Sequence, residues 1–227
     1  MMMSGVSLNK CEILDEASID AFNKYSTEVD DMPLKPHLFL EFSGSTQASV
    51  DEEVHLAQAI CSEEFGCQNF QFTSNDSERK RMWEARHKLY YASLALRPGS
   101  QGIVTDACVP MSSLADIIDA TSNDVRKMCV VGPCFGHAGD GNFHCILPII
   151  PGSDTPEYLE RVFEVNRRLA QRAIDVGGTV TGEHGVGSGK IDYLAKQYGD
   201  ETVQMMATIK RALDPKNIMN PRKVVIV

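Results

Sequence analysis

Two glycine-rich segments hold the residues of this sequence best suited to chemistry. The first, Gly136-His137-Ala138-Gly139-Asp140-Gly141-Asn142-Phe143-His144, sets two imidazoles seven positions apart around a run of glycines. In one straight strand such residues face opposite sides. Glycine permits the backbone to fold back, and Asp140 and Asn142 are turn formers, so a hairpin can bring the two histidines together. The same pattern also suits a tight hairpin with two incidental histidines, because the spacing matches no standard zinc motif. The second segment, Thr179-Val180-Thr181-Gly182-Glu183-His184-Gly185-Val186-Gly187-Ser188-Gly189-Lys190, holds an adjacent carboxylate and imidazole. Adjacent side chains normally diverge, so one ligand and one free base is the natural division. Two histidines and one carboxylate make a three-ligand metal site with open positions for water or substrate. The remaining imidazole can move a proton near neutral pH.

Other chemistries fail on spacing. Gly189-Lys190 lacks the glycine and hydroxyl positions of a phosphate-binding P-loop, and no G-x-G-x-x-G supports a nicotinamide site. H-E-x-x-H and G-x-S-x-G are both absent, which removes the common zinc-protease and serine-hydrolase signatures. Arg86 and Arg97 can bind a carboxylate bidentately, although a solvated or acid-paired arginine is the ordinary alternative for each. His37, His55 and His87 belong to no pattern.

The elements that must carry these segments follow from periodicity. Strands are expected at Cys11–Leu14, Pro36–Phe42, Asn69–Thr73, Gly102–Val109, Cys129–Phe135 and Phe143–Ile150. Helices are expected up to Tyr25, over Val50–Glu64, from a cap at Asn75 or Asp76 to just before Arg97, from Ser112 or Ser113 to Lys127, from a cap at Thr155 to Gly177, and over Glu201–Leu213. The order predicts an α+β fold: a largely antiparallel sheet, arranged as ferredoxin-like repeats, with helices packed on one face. The 227 residues are 43% hydrophobic and 23% charged, enough for a sizeable core. No apolar run approaches the ~18 residues of a membrane helix, and no secretory or transit peptide is recognisable. A net charge of −9 argues against a nucleic-acid partner. Seven cysteines without a CxxC suit the reduced thiols of an intracellular protein, with Cys134 and Cys145 as small core residues.

Three segments in order, residues 136–147, 181–187 and 213–221, resemble the successive signatures of the C-terminal half of FAD-linked oxidases of the vanillyl-alcohol oxidase type. Residues 39–42, 95–99 and 105–110 make the chain most similar to the D-lactate dehydrogenase (cytochrome) branch. The resemblance implies that His137, His144 and Glu183 bind a divalent metal, zinc or manganese, and that His184 is the general base. It implies that Arg86 pairs with the substrate carboxylate and that Asn142 lies near substrate and flavin. The resemblance also implies that Asn220 lies in a terminal segment that returns toward the flavin. Relatives acting on D-2-hydroxyglutarate have a lysine near Val104, and its absence here disfavours a second substrate carboxylate.

The implied reaction is oxidation of a D-2-hydroxyacid, D-lactate, to the ketoacid pyruvate, with hydride transfer to FAD. Electrons then pass to a carrier such as cytochrome c or a quinone, in a mitochondrial setting. Residues 1–10 are expected to form a flexible N-terminus and 11–227 the substrate and cap domain. The family's N-terminal FAD-binding domain is expected to be absent, making the chain a truncated product, a fragment or one subunit of a split enzyme with a separate FAD-binding subunit. A metal-dependent hydrolase and a non-catalytic metal-binding remnant are the alternatives.

Overall fold

The computed structural model describes residues 1, 4–26 and 31–227. Its elements in chain order are β1 (Leu8–Leu14), α1 (Glu16–Tyr25), β2 (His37–Phe42), α2 (Gln47–Ala59), a π-helical turn (Ile60–Glu64), α3 (Asp76–Ala95), β3 (Gln101–Val104), β4 (Ala107–Cys108), α4 (Met111–Lys127), β5 (Cys134–His137), β6 (Asn142–Ile149), α5 (Pro156–Asp175), α6 (Ile191–Tyr198) and α7 (Asp200–Leu213). The strands form one sheet in the order β2-β1-β5-β6-β3, with β4 also paired to β6. Every pairing is antiparallel, as the strand–helix order leads one to expect.

Helices cover both faces of this sheet, not one. Along β6, Phe143, Cys145 and Leu147 pack with Leu114, Ile117 and Ile118 of α4 and Val162, Val165 and Leu169 of α5. Ile146 points the other way, joining Leu14 and Phe135 against Ile19 and Phe22 of α1 and Ala85 and Leu89 of α3. Both parities of β6 are buried, and a strand apolar on both faces needs cover on both. Cys134 and Cys145 lie in this core, as small hydrophobes should.

Helix ends follow local chemistry. Asn75 accepts from the N–H groups of Ser77 and Glu78 to start α3, and Thr155 caps α5 with a proline in its first turn.

The departures from expectation are local and have physical causes. β1 starts at Leu8 and Val6 is buried against Ala57 and Ile60, so much of the segment expected to be flexible is packed; residues 2 and 3 lie outside the described residues. Asn69–Thr73 forms no strand, and Phe72 there is exposed. β5 begins only at Cys134, after Pro133, which has no N–H to give to a ladder. α6 follows the second glycine-rich segment, where no helix was expected. The run expected to be one strand over 102–109 breaks at Thr105-Asp106 into β3 and β4. That break matters most for the site.

β5 and β6 form a hairpin in which His137 pairs with Asn142 and Phe135 with His144. Gly141 turns the chain at φ 74°. At Gly136 the strands come closest: an added Cβ would lie 2.3 Å from the Phe143 Cα and 2.4 Å from the Asn142 carbonyl oxygen. Gly136→Ala is therefore expected to destabilise the protein by about 3 kcal/mol, because backbone and not a flexible side chain must move. Thermal unfolding should show Tm lowered by roughly 6–12 °C. Gly189→Ala, which meets nothing within 4 Å, should leave Tm nearly unchanged.

Candidate metal and substrate site

Strand register assembles the site. Glu12 pairs with His137, His137 with Asn142, and Phe135 with both Leu14 and His144, so these side chains share one face of the sheet. At one end of that face Leu14 and Phe135 are covered by α1 and α3. At the hairpin end the face is polar, carrying Glu12, His137, Asn142 and His144, and the second glycine-rich segment closes over it.

Glu183 is where the groups meet. Its Oε1 stands 3.0 Å from His144 Nε2, 3.5 Å from His184 Nε2 and 3.7 Å from His137 Nε2. The His144 ring lies 5.2 Å from that of His184 and 6.3 Å from that of His137. His144 Nδ1 donates to the Thr105 carbonyl oxygen at 3.0 Å, and since a carbonyl only accepts, the lone pair of the neutral ring sits on Nε2, toward Glu183. Burial pushes the His144 pKa down, against the opposing pull of the Thr105 carbonyl, Asp106 and Glu183, and so favours that neutral ring. His137 Nδ1 donates to Glu12 Oε1 at 2.6 Å, which likewise directs Nε2 inward. The His184 side chain is more than half exposed.

Asp106, at the strand break, holds the second segment in place. It is buried, and its Oδ2 accepts from the His184 N–H at 2.9 Å and the Glu183 N–H at 3.1 Å. The Thr181 hydroxyl and Lys190 Nζ approach Oδ2 at 3.3 and 3.5 Å, and the Asn142 amide donates to Oδ1 at 3.0 Å. Burial alone would raise the Asp106 pKa, but these donors outweigh it and hold the carboxyl below its usual range. For Lys190 the balance reverses: burial lowers its pKa despite the attraction of Asp106.

Arg86 reaches the site from α3. Its Nε donates to Glu12 Oε2 at 2.8 Å, and its guanidinium lies 4.8 Å from the centre of the Phe135 ring. Arg86, Glu12 and His137 line a cavity of about 780 Å³ that extends along Lys10, Trp83 and His87. Arg97 is elsewhere, hydrogen-bonded to Asp154 and the Pro148 carbonyl.

The residues present fit a divalent metal. Ligand atoms each ~2.1 Å from one ion at a tetrahedral angle stand roughly 3.4 Å apart, close to the spacings around Glu183 Oε1. Asp106, His144, Glu183 and His184 all place a ligand atom within 4.8 Å of one another. Within that group the Asp106 oxygens are already engaged by the donors above, so its chemistry is that of a brace. His137 lies outside the group of four and joins through Glu183 and Glu12.

Asn142 and Asn220 complete the set of expected site residues. Asn142 is enclosed: its amide donates to Asp106 and to the Ala107 carbonyl, while its Oδ1 is buried without a partner among the described residues. Asn220 is exposed on the C-terminal tail, which is tied to the second segment by Val224 N–H donating to the Gly187 carbonyl at 2.8 Å. Sequence reasoning gave Glu12 and Asp106 no role, although each is a charged residue in a strand-like run, and that was the available signal.

Comparison with known proteins agrees with the geometry. The family model for FAD linked oxidases, C-terminal domain, matches residues 1–224. The chain is 41% identical over 224 residues to a probable mitochondrial D-lactate dehydrogenase of Danio rerio, covering 99% of this chain and 44% of that protein. It is 37% identical to the mitochondrial D-lactate dehydrogenase [cytochrome] of Arabidopsis thaliana, covering 99% of this chain and 38% of the relative. The chain thus spans less than half the length of these relatives. The solved structure of 4-ethylphenol oxidase from Gulosibacter chungangensis, in complex with isoeugenol, superposes with a TM-score of 0.64 at 14% identity, over 96% of this chain and 47% of that one. At that identity the likeness speaks for the fold alone. A family match across nearly the whole sequence, on an antiparallel sheet whose polar end gathers His137, His144, Glu183 and His184, makes this chain a member of the FAD-linked oxidase C-terminal domain family.

Proposed function

We propose that this chain is the substrate- and metal-binding part of a flavin-dependent D-2-hydroxyacid dehydrogenase that oxidises D-lactate to pyruvate. The observation that carries it is the convergence of three imidazole Nε2 atoms on one Glu183 oxygen, with Arg86 on the far side of His137. The D-lactate dehydrogenase relatives support the choice of substrate.

The assignment of ligands rests on how the rings are held. Metal-bound histidines donate their other nitrogen to a fixed acceptor. His144 does so to Thr105 and His137 to Glu12, while His184 is exposed and close to the same centre. His137, His144 and Glu183 would hold a divalent ion, zinc or manganese, which would supply Lewis acidity at the substrate hydroxyl. Arg86 binds the substrate carboxylate and so orients C2. His184 takes the hydroxyl proton on Nε2. When bound, the flavin would supply the acceptor for the hydride leaving C2, and Asn220, exposed on the C-terminal tail, is the residue of this chain offered to it. Asn142 acts by bracing Asp106, with no direct contact to substrate required. Electron transfer onward to a cytochrome, and a mitochondrial setting, are supported by the relatives' names. No described helix is long and apolar enough to cross a membrane.

The test combines this chain with a flavin-loaded domain from the same family. Anaerobic addition of D-lactate should bleach the flavin absorbance, and L-lactate should not. Absence of bleaching with D-lactate, or flavin-independent hydrolysis by the metal-loaded chain, overturns the reading.

A further inference from the structure

We propose that Glu12 is a positioning residue that couples the metal centre to the substrate-carboxylate site. Its Oε1 accepts from His137 Nδ1 at 2.6 Å and its Oε2 from Arg86 Nε at 2.8 Å. The carboxylate is buried and bridges the two groups. This proposal rests on the metal and substrate roles given above to His137 and Arg86.

The geometry makes Glu12 do two things at once. By accepting from Nδ1, it fixes the His137 tautomer and ring plane, which leaves the Nε2 lone pair facing Glu183. By holding Arg86 at Nε while Phe135 supports the guanidinium face, it leaves the two terminal nitrogens, which have no hydrogen-bond partner among the described residues, to the adjoining cavity. A carboxylate accepts on both oxygens. An amide accepts on only one, so glutamine at this position meets one of the two donors with its own NH₂ group.

An ordinary structural ion pair between β1 and α3 makes a different prediction. It would change stability and leave metal and ligand affinity alone. The bridge ties the two affinities together: occupancy of the metal site steadies His137, hence Glu12 and Arg86, so a carboxylate ligand should bind more tightly to the metal-loaded chain than to the apo chain. By linkage the ligand should tighten the metal to the same degree.

The experiment titrates the 227-residue chain with Co(II), following its visible absorption, and then titrates D-lactate by calorimetry into apo and Co(II)-loaded protein. Glu12→Gln is expected to weaken Co(II) by roughly 10–100-fold and to remove the dependence of D-lactate affinity on metal. Glu41→Gln, which removes a paired glutamate on the neighbouring strand, should change neither. Circular dichroism and a melting curve establish that each variant is folded. Where Glu12→Gln fails to fold, Arg86→Gln serves instead, since the bridge predicts weakened Co(II) binding from a residue outside the metal shell. If wild-type chain binds no Co(II), the metal reading fails and this proposal with it. If wild type binds while Glu12→Gln, or its substitute, binds as tightly, the coupling alone is overturned.

Discussion

His184→Ala is expected to keep the metal and lose turnover, whereas Glu183→Gln loses both. The prediction follows from how the side chains are held. His184 Nε2 lies 3.5 Å from Glu183 Oε1, but its ring is exposed. Removing it leaves His137, His144 and Glu183 in place, so metal content measured by elemental analysis should match wild type. Loss of a positioned general base lowers the rate by ~10²–10⁴-fold. Glu183 is the atom on which all three imidazoles converge, so its conversion to an amide leaves the histidines without their anionic partner. Since disturbing an outer-shell partner alone costs ~10–100-fold in metal affinity, losing this ligand should cost more. His137→Ala should follow Glu183→Gln and not His184→Ala. Equal metal loss in His137→Ala and His184→Ala would refute the division of roles.

Asp106→Asn should be the most damaging substitution outside the metal ligands. The carboxylate receives the N–H groups of both Glu183 and His184, the Asn142 amide and the approach of Lys190. An amide in its place turns an NH₂ group toward some of these donors and leaves half-buried Lys190 without a counter-charge. Breaking a buried pair in this way costs about 3–5 kcal/mol, which denaturant titration can read directly. Metal affinity should fall as well, because the segment carrying Glu183 loses its anchor. The pH dependence has a defined sign. The folded-state pKa of Asp106 is depressed below 3.8, so its contribution to stability is present above 3.8 and is lost as pH falls through the lower folded value. Asp154 and Asp214 are also held below their usual range and unload in the same acid region. The difference between wild type and Asp106→Asn cancels the Asp154 and Asp214 contributions and, in acid, reads the Asp106 component. It should shrink as pH falls below 4; a difference unchanged down to pH 2 would remove Asp106 from this role.

The two predictions draw on different sources of information. His137, His144, Glu183 and His184 were available as candidates from the chain itself, and their separate proposed roles from the family resemblance. Glycines around an Asp-Gly-Asn turn dictate a hairpin, a hairpin brings residues seven apart onto one face, and the register His137–Asn142, Phe135–His144 realises that placement. The helix starts at Asn75 and Thr155 were equally legible, since a cap is decided within a few residues of itself.

Glu12 and Asp106 were not legible as site residues. Each contact that defines them is long in sequence: 125 positions separate Glu12 from His137, and 78 separate Asp106 from His184. An acidic residue in a strand-like run has two ordinary fates, solvent or a buried partner, and local sequence cannot choose between them. The choice was made by the pairing of β1 with β5, which sets Glu12 opposite His137, and by the break between β3 and β4, which turns Asp106 inward. Covering both faces of the sheet was likewise a tertiary outcome, forced by the two-sided burial of β6. Glycine turns and residue types are local properties, so the candidate groups could be picked out along the chain. What holds those groups is a property of the folded chain, because a buried charge is tolerable solely where the rest of the fold delivers its donors.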